Sequence, residues 1–378
     1  MSFREKDNYL FDGSILIRQR VAASYRRPFF DLLAQRCTGP VTVVAGQPDE
    51  GEAIGQFSHL EKANFIETRN VYRGNGPFYR YSQPELVDLL DTHKPSIFIS
   101  EANPRFGDLG NTIGHAKRLG IPVVGWGIGT TDFWNKPLRR LRKWYRDRVI
   151  SQFDAMVCYS SKAAAQYQGI GFKESQTIVL YNATVRRPDQ TDTPVRDPIE
   201  VPVKLIAIGR LVDSKGFDRL VEAASNVKAN GHEIVVNIVG DGPARESLEM
   251  QARELDAPVV FHGRKTGEEL AKISRSSDLF VLPGLGGLAI QEAMSHALPV
   301  IVTEADGTEL DLVRSNGWIA EKEKTSALTQ CIEQAISDPQ ELRRRGEESY
   351  RIVRDEINLD LMVDRFVMAA SHFSESKG

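Results

Sequence analysis

Short apolar runs recur along the chain, each closed by glycine, proline or charged residues and followed by a stretch whose apolar positions repeat every three to four residues. That alternation predicts buried strands joined by amphipathic helices. In the first half the strands are expected at 14–17, 41–45, 64–67, 96–100, 121–126, 154–159 and 177–180. Helices are expected behind Pro28 and over 84–90, 111–119 and 161–167, while the polar stretch 46–83 reads as loop around its one short run. In the second half, strands at 205–208, 233–239, 259–262, 279–282 and 299–302 alternate with helices at 217–230, 244–254, 267–274 and from 288 onward. Regular alternation of this kind argues for an α/β chain with doubly wound parallel sheets and right-handed crossovers. A final helical run, 325–373, either packs back over the first half or caps the second with a polar face.

The turns after the strands carry the candidate chemistry. The run 279–282 leads into Pro283, Gly284, Leu285, Gly286 and Gly287, and then into Leu288, Ala289, Ile290, Gln291 and Glu292 at helical spacing. The first amides of a helix lack intrahelical partners and carry the positive end of its dipole, so such a turn receives an anion, and glycines let it come close. Glu292, one turn inside, can accept hydrogen bonds from a sugar diol. An ordinary βαβ unit also has glycines in its turn, but a second element upstream repeats the arrangement. There the strand 205–208 opens into Gly209, Arg210 and Leu211, with Lys215 and Gly216 following. An arginine and a lysine five residues apart suit a diphosphate: the guanidinium forks onto two oxygens and the ammonium adds a compact charge. Arg264 follows the strand 259–262, in line to meet a nucleobase. In the first half, Arg26 and Arg27 precede Pro28, where they face a phosphate or acidic acceptor or form the solvated flank of a helix. Glu101, Asn103 and Arg105 close the strand 96–100, at the end of a parallel sheet where functional loops sit.

Composition narrows the class. The 378 residues, 41% of them hydrophobic and 26% charged, read as two globular domains, and a formal charge of −3 supplies no global field for nucleic acid. Cys37, Cys158 and Cys331 show no metal-ligand or disulfide spacing. No apolar run approaches the roughly 20 residues of a membrane helix, and the N-terminus lacks a signal peptide's apolar core, so a cytoplasmic location with at most peripheral membrane contact is expected. The segment 136–148 is the most basic in the chain and interleaves Leu138, Leu141, Trp144 and Tyr145 with cations. It reads either as an interfacial helix for anionic membrane or as a surface helix with its apolar stripe on the sheet. The expected domains are 1–185, a linker at 186–202 rich in Pro, Asp and Thr, 203–350, and a terminal helix at 351–378.

Taken together, Gly209-Arg210-Leu211 with Lys215-Gly216, Val239-Gly240-Asp241-Gly242-Pro243, Phe261-His262-Gly263 and Gly287-Leu288 with Glu292-Ala293-Met294 and Pro299-Val300 resemble the nucleotide-sugar half of the GT-B family 4 glycosyltransferases. The first half is similar to a bacterial surface-polysaccharide branch of that family through Arg27-Pro28-Phe29-Phe30, Glu101-Ala102-Asn103-Pro104-Arg105 and Trp126-Gly127-Ile128-Gly129. The resemblance implies two Rossmann-like domains facing a central cleft, a UDP- or GDP-sugar donor, retention of anomeric configuration, and no metal or separate cofactor. It implies that Arg210 and Lys215 hold the diphosphate as the catalytic pair. Glu292 would take the ribose and Arg264 the base edge, while Gly209, Gly286, Gly287, Leu288 and Ala289 line the phosphates. The implied acceptor is a lipid-linked or growing glycan, with Arg26, Arg27, Glu101, Asn103 and Arg105 on its side. Two positions depart from the family pattern: Gly284 stands where a first glutamate is usual, and Ile128 where many members carry a histidine. The alternatives are a catalytically silent scaffold that keeps the fold and another GT-B enzyme, such as a UDP-sugar epimerase. A phosphorylase is disfavoured because nothing around Lys215 suggests a pyridoxal cofactor.

Overall fold

The computed structural model describes residues 10–50, 52, 54–130 and 139–375. They form two compact units, one reaching to Thr184 and resuming at Asp360, the other Val185–Leu359.

In the first unit the strands are β1 (Ile15–Val21), β2 (Val41–Gly46), β3 (Asn64–Glu67), β4 (Val71–Arg73), β5 (Arg80–Ser82), β6 (Ile97–Glu101), β7 (Val123–Gly127), β8 (Ala155–Cys158) and β9 (Thr177–Val179). The helices are α1 (Arg27–Ala34), α2 (Leu86–His93), α3 (Leu109–Arg118), α4 (Arg139–Ile150) and α5 (Ser161–Gln168). Seven strands pair in parallel in the order β3-β2-β1-β6-β7-β8-β9, and their apolar runs are buried because helices cover both faces. The order reverses between β1 and β6, so the loops after these two strands flank the topological switch point. Of the basic segment 136–148, residues 136–138 lie outside the described residues and the remainder is helical within α4.

Two features of this unit were invisible to periodicity. One is the antiparallel hairpin β4–β5, whose strands of three residues are too short to show a period. The other is Arg18 on β1, wholly buried, its guanidinium 3.7 Å from the centre of the Phe106 ring. Arg18 makes an ion pair of 2.6 Å with Asp108 and donates to Gln83 at 2.9 Å. Burial lowers its pKa while Asp108 opposes the shift.

The second unit contains β10 (Val203–Ile208), α6 (Phe217–Ala229), β11 (Ile234–Val239), α7 (Arg245–Glu254), β12 (Val259–Gly263), α8 (Gly267–Arg275), β13 (Leu279–Leu282) and α9 (Gly287–Ser295). It continues through β14 (Val300–Thr303), α10 (Thr308–Leu312), β15 (Gly317–Ala320), α11 (Thr325–Ile336) and α12 (Pro339–Asp355). The sixth strand, β15, and the short α10 were not expected. Six parallel strands run β12-β11-β10-β13-β14-β15, which is the 3-2-1-4-5-6 order of a dinucleotide-binding sheet, with its reversal between β10 and β13. Residues 186–202, linker-like in composition, lie along this unit: Tyr350 donates to the Gln190 carbonyl at 3.0 Å, and Arg196 to the Arg275 carbonyl at 3.1 Å. The run 325–373 is three helices, not one. The last, α13 (Leu359–Glu375), belongs to the first unit from Asp360 onward, where Phe366 meets Phe29 and Trp126 at ring separations of 5.2 and 5.3 Å.

Candidate functional site

In the second unit the loops after β10 and β13 meet at the switch point, and glycine makes the meeting possible. Gly216 has φ +66°, a left-handed value that closes the turn Asp213–Lys215, and a Cβ there would stand 2.5 Å from the Pro283 carbonyl oxygen. At Gly284 a Cβ would lie 2.5 Å from the Lys215 carbonyl carbon and from the carbonyl oxygens of Lys215 and Ser214. Any side chain at Gly284, a glutamate included, would push the two loops apart. Leu285 donates its amide to the Ser214 carbonyl at 3.1 Å, and Arg219 donates to the Pro283 carbonyl at 2.8 Å, so the seam is hydrogen-bonded as well as close-packed.

That seam sets the place of Lys215. Its stem crosses Gly209, with Cε 3.6 Å from the point a Cβ would occupy, and its ammonium sits at the start of α9, 2.6 Å from the same point on Gly286. Among the described residues no side chain caps α9, and the Ala289 amide turns back to the Gly286 carbonyl at 3.1 Å. Burial lowers the Lys215 pKa, and Asp306 works against it. An ammonium and a helix start thus converge on one point, an arrangement that stabilises a multiply charged anion.

Arg210 is exposed at the end of β10 and, among the described residues, makes no ion pair. Its backbone is fixed, since its carbonyl accepts from Val212 at 2.9 Å, but no contact ties the guanidinium to Lys215. Glu292 is half-buried on α9, one oxygen 3.5 Å from His296 Nε2. Arg264 is exposed just beyond β12, the outer strand of the sheet and roughly 10 Å from β10 at ordinary strand spacing. The intervening loops are linked: Gly209 donates to Val239 at 3.0 Å, Gly240 to Gly263 at 2.9 Å and Leu211 to Asp241 at 3.0 Å.

The β14–α10 loop supplies residues that the local pattern of the sequence did not single out. Glu309 is 2% exposed, and its carboxylate accepts from the amides of Ala305 at 2.9 Å and Gly307 at 3.0 and 3.1 Å. It folds the loop so that Asp306 accepts from the Thr308 amide at 3.0 Å and hydroxyl at 2.6 Å. The Thr308 hydroxyl in turn lies 2.5 Å from where a Cβ on Gly287 would be, which seats the loop against the first turn of α9. The only signal in the sequence was a carboxylate two residues past Gly307. Glu309→Gln puts an amide NH2 where an acceptor is required. It is expected to cost about 1–3 kcal/mol of stability and to weaken binding of nucleoside diphosphate, checked by thermal melting and by titration calorimetry with UDP and GDP.

In the first unit the candidates around the β1–β6 switch point differ in fate. Arg26 is 3% exposed, donates to Asn182 Oδ1 at 2.7 Å, and stacks near Tyr25, Trp126 and Tyr159 at 5.0–5.1 Å from the ring centres. It is a packed part of the core. Arg27 is committed to carboxylates, Glu61 at 2.6 Å and Asp31 at 3.9 Å. Glu101 accepts from the Arg20 amide at 3.0 Å and from Asn103 at 3.2 Å, and Asn103 accepts from the Arg105 amide at 3.1 Å. Of the five, Arg105 is the exposed one, its guanidinium 5.9 Å from the centre of the Tyr79 ring. Ile128, after β7, is 43% exposed. Burial pushes the Cys37 and Cys158 thiols up to about 12, far from the range of a reactive thiolate.

A doubly wound sheet with an ammonium and an open helix start at its switch point has the geometry of a candidate anion site in an α/β unit. The chain as a whole has the GT-B fold, two Rossmann-like domains. It superposes on Anabaena Alr3699/HepE in complex with UDP with a TM-score of 0.70 at 15% identity, covering 96% of this chain and 100% of that one. On WaaG, a glycosyltransferase involved in lipopolysaccharide biosynthesis, the TM-score is 0.65 at 14% identity, over 96% and 100% of the two chains. Residues 190–352, within the second unit, match the family described as Glycosyl transferases group 1. Among curated relatives, the putative colanic acid biosynthesis glycosyltransferase WcaL of Salmonella typhimurium is 28% identical over 264 residues, 65% of this chain and 61% of that protein. A GDP-mannose-dependent alpha-(1-6)-phosphatidylinositol dimannoside mannosyltransferase of Mycobacterium tuberculosis is 25% identical over 205 residues, 52% of this chain and 53% of that protein. The chain thus spans about three fifths of the WcaL relative's length.

Proposed function

We propose that the chain is a retaining, hexosyltransferase-type glycosyltransferase. It moves a sugar from a UDP- or GDP-sugar to a hydroxyl of a lipid-linked or growing glycan, in surface polysaccharide or glycolipid assembly. The observation that carries the reading is the Lys215 ammonium seated at the start of α9, at the switch point of a 3-2-1-4-5-6 sheet. The named activities of the WcaL and mannosyltransferase relatives support it, as do the UDP and UDP-glucose complexes of the Anabaena neighbour.

In this reading the anomeric C–O bond breaks with its electron pair leaving on the diphosphate. The acceptor oxygen bonds to the anomeric carbon on the same face, and its proton passes to the departing phosphate oxygen. Charge gathers on the diphosphate as the bond lengthens, and Lys215, Arg210 and the amides of Gly287 and Leu288 are the groups that meet it. The reading assigns no metal and no separate cofactor to this step. Gly209 and Gly286 give the diphosphate room, Ala289 continues the helix start behind it, Glu292 accepts from the ribose hydroxyls and Arg264 meets the base edge. On the acceptor side Arg105, exposed beside Tyr79, is the candidate left free to reach a substrate. The work is placed on the cytoplasmic face of a membrane, as a peripheral contact; among the described residues no helix is long and apolar enough to cross a bilayer.

Calorimetry with UDP, GDP and their sugars, followed by assay of slow donor hydrolysis, tests the reading. Binding with hydrolysis supports it, binding without turnover favours the silent scaffold, and no binding at millimolar nucleotide sinks it. Glu292→Ala is expected to weaken UDP or GDP binding about tenfold, the loss of hydrogen bonds to a charged acceptor. Unchanged affinity would remove the ribose role.

A further inference from the structure

The first unit leaves three large apolar side chains on its surface close together. Phe78, just before β5, is 67% exposed, and on α4 Leu141 is 61% and Trp144 58% exposed. The two elements touch: the Arg142 guanidinium lies 5.6 Å from the centre of the Phe78 ring, and that of Arg80 on β5 lies 5.9 Å from the Tyr145 ring. The helix already buries a different stripe, with Val149 and Ile150 in the core and Tyr145 packed against it. Leu141, Trp144 and Arg148 follow at spacings of three and four, so they share the outward side. Arg148 lies 5.6 Å from the centre of the Trp144 ring, and Arg140 and Lys143 are exposed beside it. The sequence of α4 holds six cations against the single carboxylate of Asp147, in a chain whose formal charge is −3.

We infer that Phe78, Leu141 and Trp144, ringed by the cations of α4, form one docking patch for an anionic lipid bilayer, built from the hairpin and the helix together. Apolar side chains sink to the acyl boundary while arginine and lysine meet the headgroup charge, and indole is suited to that depth. Nucleic acid would use the cations but leave the three apolar side chains in water. A second copy docking by the same face would bring the exposed Arg140, Lys143 and Arg148 against the same cations of its partner. The inference rests on the membrane-side part of the reading above. It is tested without donor or acceptor, so its failure leaves sugar transfer standing.

The experiment is flotation of the full chain with phosphatidylcholine vesicles, with and without phosphatidylglycerol, across a salt series. Binding is expected only with the anionic lipid, weakening as salt rises, with a blue shift of tryptophan emission that Trp144→Phe removes. Phe78→Ser alone should weaken binding several-fold, and Phe78→Ser combined with Leu141→Ser and Trp144→Ser should weaken it by more than about tenfold. Unchanged melting curves show that the variants fold. Equal flotation on neutral and anionic vesicles would overturn the inference. Full binding by Phe78→Ser would overturn the two-element patch, and dimerisation or RNA binding lost in the triple variant would assign the face to another partner.

Discussion

Lys215→Ala is expected to lower turnover by about two to three orders of magnitude, measured as release of nucleoside diphosphate at saturating donor. The size follows from where the ammonium sits. Its Nζ is 2.6 Å from the Cβ point of Gly286, at the open end of α9, and the stem is fixed across Gly209 rather than free in solvent. A positioned charge in a half-buried site acts on the leaving diphosphate more strongly than a mobile one in water. A wild-type rate in Lys215→Ala would remove this residue from the mechanism.

The same burial gives a pH signature. Burial lowers the Lys215 pKa from 10.5, against the pull of Asp306. Between the folded and unfolded values the unfolded chain holds more protons at this site. The buried charge is therefore a cost at lower pH, and stability rises as pH climbs through the folded value. In the proposed function donor binding runs the other way, because the diphosphate would need the ammonium. The alkaline limb of kcat/KM should begin below 10.5 and move up in Lys215→Arg; an unmoved limb would assign it to another group.

Asp108→Ala is expected to destabilise the first unit by about 3 kcal/mol or more, because it strands a buried guanidinium. Arg18 is wholly buried, and Asp108, 2.6 Å away, is its ion-pair partner, with Gln83 accepting at 2.9 Å and the Phe106 ring centre 3.7 Å from the guanidinium. In a unit of this size that amounts to a fall in Tm of about 6–12 °C. The double change Arg18→Met with Asp108→Leu should recover much of the loss, since it removes the buried charge along with its partner. A thermal melt of Asp108→Ala that matches wild type would show that the pair contributes little. Neither residue belongs to the proposed donor site, so the effect is on folding.

The fates of neighbouring residues show how far the chain could be read unaided. Arg26 and Arg27 are adjacent cations of the same type before Pro28. One is buried among Tyr25, Trp126 and Tyr159, and the other pairs with Glu61 at 2.6 Å. Trp126, Tyr159 and Glu61 come from distant parts of the chain, which a local pattern does not register. The departure at position 284 is similar: the turn glycine was legible, but the reason for it, the backbone of Ser214 and Lys215 lying 2.5 Å from its Cβ point, was not.

By itself the sequence determined the strand–turn–helix units, the doubly wound class, and the loops ending in Gly209 to Lys215 and Pro283 to Glu292. Those are local matters: hydrophobic period, glycine turns and helix starts act within about a dozen residues. Tertiary structure alone decided that β10 and β13 are neighbours at the reversal of the sheet, and hence that Lys215 reaches Gly286. It also decided that Glu309 is buried to shape the Asp306 loop, and that α13 rejoins the first unit. The strand pairing, the reach of Lys215 and the return of α13 depend on contacts between segments far apart in the chain, whose pairing is fixed by packing and register and not by the residues on either side.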